Sequence, residues 1–400
     1  MSETFKIINF DTTCRDGAQA LPEANQFPVG SKVEIARGIA ELGVETIEAG
    51  FPATPGDDEE VREVARTVGN EPFAIEPRRI VNGELVAGDI YGTTPIISGL
   101  SRAIVPDIEK TWGSVIEARH PGIHTFVATA DEHIRVKHPH HDRESVKEMA
   151  VTAVRFAREI SGPDARVQFS CEAASTSDMG YLERVMKSVA QEGVDVINLP
   201  DTLGAASARR IHTMFANATR WLVEEGLNDH VILSAHNHND GARAVSNTIA
   251  AAHAIADTAV AMGAQIPVFQ AEVTNGPDLG ERSGNTNFAP WALDVLVDEN
   301  EFAVPIEFDI DTTKILAVAS MVAAKAGITI PAKTPVVGED WITHRSGIHS
   351  DAVVKGGASL YAHVDPRWFG WRNSGFVEDG KYQGKNGRAN IGSVNEYVAR

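Results

Sequence analysis

The amino-acid sequence predicts an α/β protein: a TIM (β/α)8 barrel followed by a small C-terminal α+β or irregular region. Eight β-rich runs alternate with eight helical patterns over the first 300 of 400 residues, which is typical of parallel βα units. The same αβ connection, a helix ending at glycine before a β-branched run, occurs at residues 42–48 and 192–198. No glycine-rich dinucleotide loop follows the first strand, which disfavours a doubly wound open sheet.

The predicted elements follow one another with short connections. Strands are expected at residues 5–12, 45–50, 96–100, 123–129, 166–172, 195–200, 230–236 and 268–274. Helices are expected near residues 31–42, 57–67, 107–118, 144–161, 178–192, 206–225, 242–263 and 288–298. Capping boxes formed by Ser31 with Glu34 and by Ser145 with Glu148 predict the starts of the first and fourth helices. Residues 69–95, which contain several prolines and glycines, are expected to form an inserted excursion.

The alternation of strands and helices stops after about residue 300. We therefore expect a catalytic barrel over residues 1–300, then a linker helix and small subdomains over residues 301–400. Residues 311–327 have a helical pattern, and residues 330–338 are expected to be extended. This second region is too short to bury much core by itself.

Composition restricts the possible partners. There are 36 basic and 55 acidic residues, a formal charge of −19, and such a surface repels nucleic acids and anionic membranes. The apolar stretch at residues 249–269 is interrupted by polar residues and predicts a buried helix rather than a membrane span. The N-terminus lacks an export-signal pattern, and the two cysteines, Cys14 and Cys171, are interpreted as buried small residues. The predicted location is cytoplasmic.

The strongest local motif is the pair His236 and His238. On a strand, residues i and i+2 face the same side, and two imidazoles on one face are a natural metal-binding pair. The alternative is two unrelated polar residues at a strand end. Because the pair ends the seventh predicted strand, where barrel active sites lie, the metal site is favoured. The histidine-containing run at residues 137–142 is instead interpreted as a solvated loop.

Two further segments can complete such a site. Asp16 follows the first strand and offers an oxygen ligand, with Arg15 as a positive charge beside it, although many Arg–Asp pairs are merely surface pairs. Asn285 follows the eighth strand and offers another oxygen. A mixed His/Asp/Asn site is compatible with Mg²⁺, Mn²⁺ or Zn²⁺.

Several segments in order resemble the 2-isopropylmalate synthase family, which includes homocitrate and citramalate synthases among the pyruvate-carboxylase-like metal-dependent barrels. They are the histidine pair and residues 11–17 (DTTCRDG), 48–52 (EAGFP), 280–285 (GERSGN), 311–314 (DTTK), 333–339 (KTPVVGE) and 344–349 (HRSGIH). Together they extend over nearly the whole chain.

The resemblance implies a set of site residues. Asp16, His236, His238 and Asn285 would surround a divalent cation. Arg15, Glu172, His349 and Tyr361 would be catalytic, the last two reaching the site from a partner subunit. The residues implied to line a 2-oxo-acid pocket are Glu48, His124, Ser170, Asn198 and Thr202. Taken alone, each pocket residue could equally be a hydrogen-bonded rim residue.

The resemblance also implies an activity: Claisen condensation of acetyl-CoA with a 2-oxo acid, then thioester hydrolysis. The expected acceptor is 3-methyl-2-oxobutanoate, which would give 2-isopropylmalate for leucine biosynthesis in a homodimer with shared active sites. Homocitrate or citramalate synthesis, cleavage of the 3-hydroxy-3-methylglutaryl-CoA lyase type and a non-catalytic binding barrel are the alternatives.

Overall fold

Eight parallel strands close into a barrel in the computed structural model, which describes residues 4–81, 84–362, 364–372 and 376–377. Each strand pairs with its sequence neighbour, and β1 pairs with β8 from Ile7–Phe269 to Asp11–Val273, which closes the ring. The predicted fold class and all eight strands are confirmed. The strands β1–β8 are Phe5–Asp11, Thr46–Glu48, Ile96–Arg102, Pro121–Ala128, Arg166–Glu172, Val196–Asn198, Ile232–His236 and Phe269–Val273.

Eight helices cover the outside of the barrel, because each has one apolar face that packs on the strands. In α1, for example, Ile35 and Ile39 are fully buried. Each helix lies where the sequence predicts one. The helices α1–α8 are Ser31–Glu41, Asp57–Arg66, Val105–Val115, Arg143–Ser161, Met179–Gln191, Ala208–Glu225, Ala244–Ala261 and Phe288–Val297. None of the helices in the described segments combines the length and apolar run that a membrane span needs.

Both predicted capping boxes are wrong. Helix α1 is preceded by Gly30 with φ +81°, and the hydroxyl of Ser31 donates to the carbonyl of Pro28 instead of capping the helix. In α4 the box is formed by Asp142 and Ser145: the Ser145 N–H donates to the Asp142 carboxylate (2.8 Å), and the Asp142 N–H donates to the Ser145 hydroxyl (2.9 Å). The N-cap is Asp142, three residues before the predicted Ser145, because Asp142 supplies the stronger acceptor.

The excursion predicted between the second helix and the third strand is an antiparallel ribbon. Its inner strands are Arg78–Val81 and Glu84–Ala87, and its outer strands are Phe73–Ile75 and Tyr91–Thr93. Because it lies in an αβ connection, it is at the end of the barrel opposite the carboxyl ends of the strands. There the chain is tightly packed: Gly43 has φ +94°, and a Cβ atom on it would lie 2.6 Å from the carbonyl oxygen of Asp309.

The chain after the barrel first packs against the first strand and the first helix of the barrel. A ninth strand, β9 (Ile306–Glu307), extends the sheet beside the start of β1. Helix α9 (Ile315–Lys325) confirms the predicted helical segment and packs against α1. Its end is held by Asn25, whose side-chain amide donates to the carbonyls of Ala326 (3.0 Å) and Gly327 (3.1 Å).

The segment beyond α9 departs from the sequence-based expectation. Residues 330–338 form turns instead of an extended run, with Val336 at φ +67°. A further helix, α10 (Gly347–Gly356), follows. A 3-10 turn at Pro366–Phe369 then brings the chain back to the start of α9. There the hydroxyl of Thr312, which lies just before α9, donates to the Trp368 carbonyl (2.7 Å). The domain boundary at residues 300 and 301 stays a prediction. Residues 363, 373–375 and 378–400 of the predicted C-terminal region lie outside the described residues.

Candidate active site

Two strand ends bring Asp16, His236 and His238 together. Asp16 lies in a single π-helical turn, Thr13–Gly17, directly after β1. His236 is the last residue of β7, and His238 follows two positions later. One ligand atom from each of the three side chains lies within 4.8 Å of the others, and all three residues are buried. This arrangement is the one that the sequence predicts for a metal centre.

The donor atoms fit a divalent cation. The Nε2 atoms of His236 and His238 face each other at 3.2 Å, and two imidazole nitrogens bound to one metal at about 2.0–2.1 Å are themselves about 3 Å apart. The Asp16 Oδ2 atom lies 3.8 Å from His236 Nε2. Asn285 donates its amide to Asp16 (2.5 Å), while its own Oδ1 is buried without a hydrogen-bond partner. A cation bound here would offer the Asn285 oxygen the partner that it lacks.

The protonation states of two of the three side chains, Asp16 and His238, suit metal binding. Burial would raise the pKa of Asp16, but the charges of Arg15 and His236 outweigh it and hold that pKa at about 2. Burial and the neighbouring His236 lower the pKa of His238 to about 3. Near neutral pH, Asp16 is therefore a carboxylate and His238 a neutral imidazole, the forms that bind metals.

Hydrogen bonds between loops fix the position of the cluster. The Asp11 carboxylate accepts from the N–H of Thr13 and from the side-chain amide of Asn275, both at 2.8 Å, and so joins the loops after β1 and β8. Gly280 has φ +118°, and a Cβ atom on it would lie 2.5 Å from Asn285 Oδ1. A glycine is therefore required beside the predicted amide ligand.

A chain of polar side chains extends from Arg15 across the barrel. Arg15 contacts Asp16 (3.0 Å) and donates its Nε–H to Glu48 (2.5 Å). Glu48 also pairs with His124 Nδ1 (2.6 Å), while His124 Nε2 lies 2.6 Å from the hydroxyl of Ser170. The Asn198 amide donates to the same hydroxyl (2.7 Å). Burial raises the pKa of Glu48, yet Arg15 and His124 lower it overall, so this buried carboxylate stays charged.

A cavity of about 210 Å³ lies above this chain and beside the metal cluster. Of the predicted pocket residues, Glu48 does not line the cavity but contacts Arg15 and His124 beside it. The predicted metal ligand Asn285 does not line the cavity either and donates to Asp16. Apolar atoms of Leu100, Phe126 and Pro200 form part of the wall. The polar residues that line the cavity are Arg15, Asp16, His124, Ser170, Glu172, Asn198, Thr202, His236, His238, Glu272, Glu281 and Arg282.

His349 and Tyr361 do not line this cavity. Their rings stack on each other at a centroid distance of 3.9 Å and an interplanar angle of 15°. Both residues are exposed. The structure thus brings the two together but leaves them outside the cavity of their own chain.

Comparison with known proteins identifies the family. Residues 6–322, the whole barrel and the start of the following region, match the HMGL-like family. The chain belongs to the HMGL-like family. The resemblance recognised from the sequence motifs is thereby confirmed.

Similar proteins include named enzymes. A 2-isopropylmalate synthase from Pelotomaculum thermopropionicum is 35% identical over 95% of this chain and 66% of that protein. A methylthioalkylmalate synthase from Eutrema japonicum is 34% identical over 94% of this chain and 67% of that protein. The HMGL-like chain thus spans about two thirds of the length of these relatives. An HMG-CoA lyase structure from Bacillus subtilis has a TM-score of 0.58 at 16% identity over 83% of this chain and 96% of that chain, which supports the fold.

Sequence reasoning missed Glu272. In this HMGL-like barrel its fully buried Oε2 atom lies 2.8 Å from His236 Nδ1, while its Oε1 accepts from the Gln168 amide (2.5 Å). A carboxylate on the second nitrogen of a metal-binding histidine orients the ring. The sequence does contain a pattern that could have identified this residue: Gln270 and Glu272 occupy alternate positions of an otherwise apolar buried strand.

Sequence reasoning also missed the role of Lys137. It ends an unpredicted helix, Asp131–Lys137, which is too short and too polar to show a helical pattern. Its ammonium group pairs with Glu172, which lines the cavity. The interpretation of residues 137–142 as a merely solvated loop is therefore wrong for Lys137.

Removing one imidazole tests the metal centre. We expect His236→Ala to weaken Mn²⁺ or Zn²⁺ binding by at least about 100-fold, since loss of outer-shell partners alone costs about 10–100-fold. Calorimetric titration of chelator-treated protein measures this. His230→Ala, which changes an exposed histidine, is the matched control and should bind as the unchanged protein does. Wild-type affinity in a folded His236→Ala protein would contradict the assignment.

The buried Asp11 predicts a pH dependence of stability. Burial raises the pKa of Asp11 to about 6 from 3.8, so the folded state holds this proton more tightly than the unfolded state. Its contribution to stability is complete below about pH 4 and is lost as the pH rises through about 6. Asp11→Asn should therefore be most destabilising, relative to wild type, near pH 4. The difference should shrink by about 2–3 kcal/mol by pH 7. Urea denaturation at several pH values measures it, and a pH-independent difference would refute the assignment.

Proposed function

We propose that this protein condenses acetyl-CoA with a 2-oxo acid and then hydrolyses the thioester. The observation that carries the proposal is the buried Asp16–His236–His238 cluster beside Arg15, within one small cavity of an HMGL-like barrel. The favoured acceptor is 3-methyl-2-oxobutanoate, which gives 2-isopropylmalate, an intermediate for leucine biosynthesis. Support comes from the 2-isopropylmalate synthases among the similar proteins.

Asp16, His236, His238 and Asn285 would hold a divalent cation, Mg²⁺, Mn²⁺ or Zn²⁺. When bound, it supplies a Lewis acid for the carbonyl of the 2-oxo acid. Arg15 then meets the negative charge that develops on the carbonyl oxygen. Its guanidinium is held by Glu48 on one side and Asp16 on the other, so little reorganisation is needed during the reaction.

The opposite side of the cavity suits the rest of the 2-oxo acid. Ser170, Asn198 and Thr202 offer hydroxyl and amide groups, and Leu100 and Phe126 offer apolar contact. One oxygen of Glu172 pairs with Lys137, whereas its Oε2 is buried without a hydrogen-bond partner and is available to a bound substrate. A cavity of about 210 Å³ accommodates a small oxo acid, whereas the nucleotide of acetyl-CoA has to stay outside it.

The base that removes a methyl proton from acetyl-CoA is His349 in this proposal, assisted by Tyr361. The stacking of the two rings and their exposure suit a pair that enters the cavity of a second subunit. We therefore propose a homodimer in which each C-terminal region completes the partner's site. The free, buried thiols of Cys14 and Cys171 agree with the proposed cytoplasmic location.

A thiol-release assay tests the activity. With acetyl-CoA and a divalent cation, 3-methyl-2-oxobutanoate should be a better acceptor than pyruvate or 2-oxoglutarate, because the pocket has an apolar wall. One or two methylene groups change the activation free energy by only about 1–3 kcal/mol, so pyruvate should react slowly. Preference for pyruvate or 2-oxoglutarate would reassign the enzyme to citramalate or homocitrate synthesis. No thiol release with any acceptor, but cleavage of 3-hydroxy-3-methylglutaryl-CoA, would indicate a lyase.

Mixing two inactive variants tests the shared site. Asp16→Asn removes a metal ligand and His349→Ala removes the proposed base, so each homodimer should be nearly inactive. A mixed dimer has one site with both defects and one site with neither. With random reassortment, roughly a quarter of wild-type activity should return, measured after subunit exchange is verified with two different tags. Absence of recovery would place His349 in the site of its own barrel.

A further inference from the structure

Three exposed arginines form a basic group, the arginine rim, at the carboxyl ends of the barrel strands. Arg209 and Arg210 lie in the first turn of α6, and Arg243 directly precedes α7. All three are exposed. Within the described ranges, no salt bridge joins any of them to a carboxylate, whereas the nearby Arg282 pairs with Asp240 (2.8 Å). In a chain of formal charge −19, such an uncompensated group of cations is unusual.

The arginine rim borders the cavity of the proposed active site. Arg210 donates its Nε–H to the carbonyl of Ser175, in the loop that follows Glu172. Arg243 donates to the carbonyl of Ala205 (3.2 Å), in the loop that follows Thr202. Both Glu172 and Thr202 line the cavity. The rim therefore lies one loop away from the place where a substrate would react.

The dipole of the helix that carries two of these arginines disfavours their charge. Positive charges in the first turn are unfavourable, because that end of a helix already carries partial positive charge. The first turn of α6 contains no acidic residue, whereas the first turn of α2 contains four, Asp57 to Glu60. An anionic ligand would remove this unfavourable charge, and guanidinium groups match phosphate oxygens in bidentate hydrogen bonds.

We propose that the arginine rim binds the phosphate groups of the acyl-CoA cosubstrate. The pantetheine arm would cross residues 202–206 and deliver the acetyl group to the cavity, while the nucleotide stays at the rim. This inference rests on the proposed function for the identity of the cosubstrate. It also explains how a strongly acidic protein can bind a polyanion: the attraction is local, whereas the negative charges elsewhere are screened by salt.

Binding of CoA itself tests the proposal without any chemical step. We expect Arg243→Ala to raise the Kd for CoA about tenfold and Arg209→Ala/Arg243→Ala about 100-fold, since each variant removes one charge-assisted hydrogen-bond donor per arginine and tenfold corresponds to about 1.4 kcal/mol. Calorimetric titration measures this. Arg220→Ala is the matched control, because Arg220 is an exposed arginine three turns further along α6. It should bind CoA as wild type does.

A phosphate-free thioester separates phosphate recognition from a structural effect. The kcat/KM for acetyl-pantetheine should be the same in wild type and in the double variant, whereas the KM for acetyl-CoA should rise without a change in kcat. Equal losses with both thioesters, CoA binding in the variants like that of Arg220→Ala, or no CoA binding by wild type would each overturn the proposal. If wild type binds CoA through the rim but releases no thiol with any 2-oxo acid, the proposed condensation fails and the phosphate site stands.

Discussion

The pairing of β1 with β8 is the contact on which the candidate site depends. Asp16 and Asn285 are 269 positions apart in the sequence, and they meet only because the ring of strands closes between Asp11 and Val273. The closure continues into the loops, where the N–H of Thr12 donates to the Val273 carbonyl (2.8 Å). A barrel open at this edge would keep its two histidines on β7 with Asn285 bridged to His238, but it would lose the Asp16 carboxylate beside them.

The interior of the barrel beneath the metal cluster is polar, which is costly unless every group is paired. The Gln270 amide donates to Gln168 (2.9 Å) and to the Ser234 hydroxyl (3.0 Å), and Gln168 donates to Glu272. These pairs hold the Glu272 carboxylate against His236. Apolar side chains at the same positions would give a more conventional core, but would leave the imidazole ring free to turn. Here part of the core thus serves the orientation of one side chain.

The sequence-based predictions succeeded where one residue pattern had one physical cause. The β-branched strands, the glycines that end helices and the shared face of His236 and His238 each depend on local geometry that any barrel repeats. Glu272 could not be assigned in this way, because its importance arises from a contact with His236 on a neighbouring strand. The predicted N-cap of α4 was wrong because Asp142 caps the helix, and Ser145, three residues later, is its reciprocal partner in the same capping box. The turns at residues 330–338 depend on contacts such as the Trp371 indole N–H with the Val336 carbonyl (2.7 Å).

The path of the chain after the barrel has a mechanical consequence. The segment from residue 328 to residue 362 leaves the C-terminal end of α9, where the Asn25 side chain donates to Ala326. The chain then returns to the N-terminal end of the same helix, where the Thr312 hydroxyl donates to Trp368. It is therefore a loop anchored at both ends and not a free arm, so the conformational entropy of its central part is already reduced before any encounter. Such a loop cannot reach outward alone and be exchanged like a swapped tail. Whatever surface it touches has to be brought to it by the approach of whole molecules, and the shape of that surface has to match a loop that is already folded.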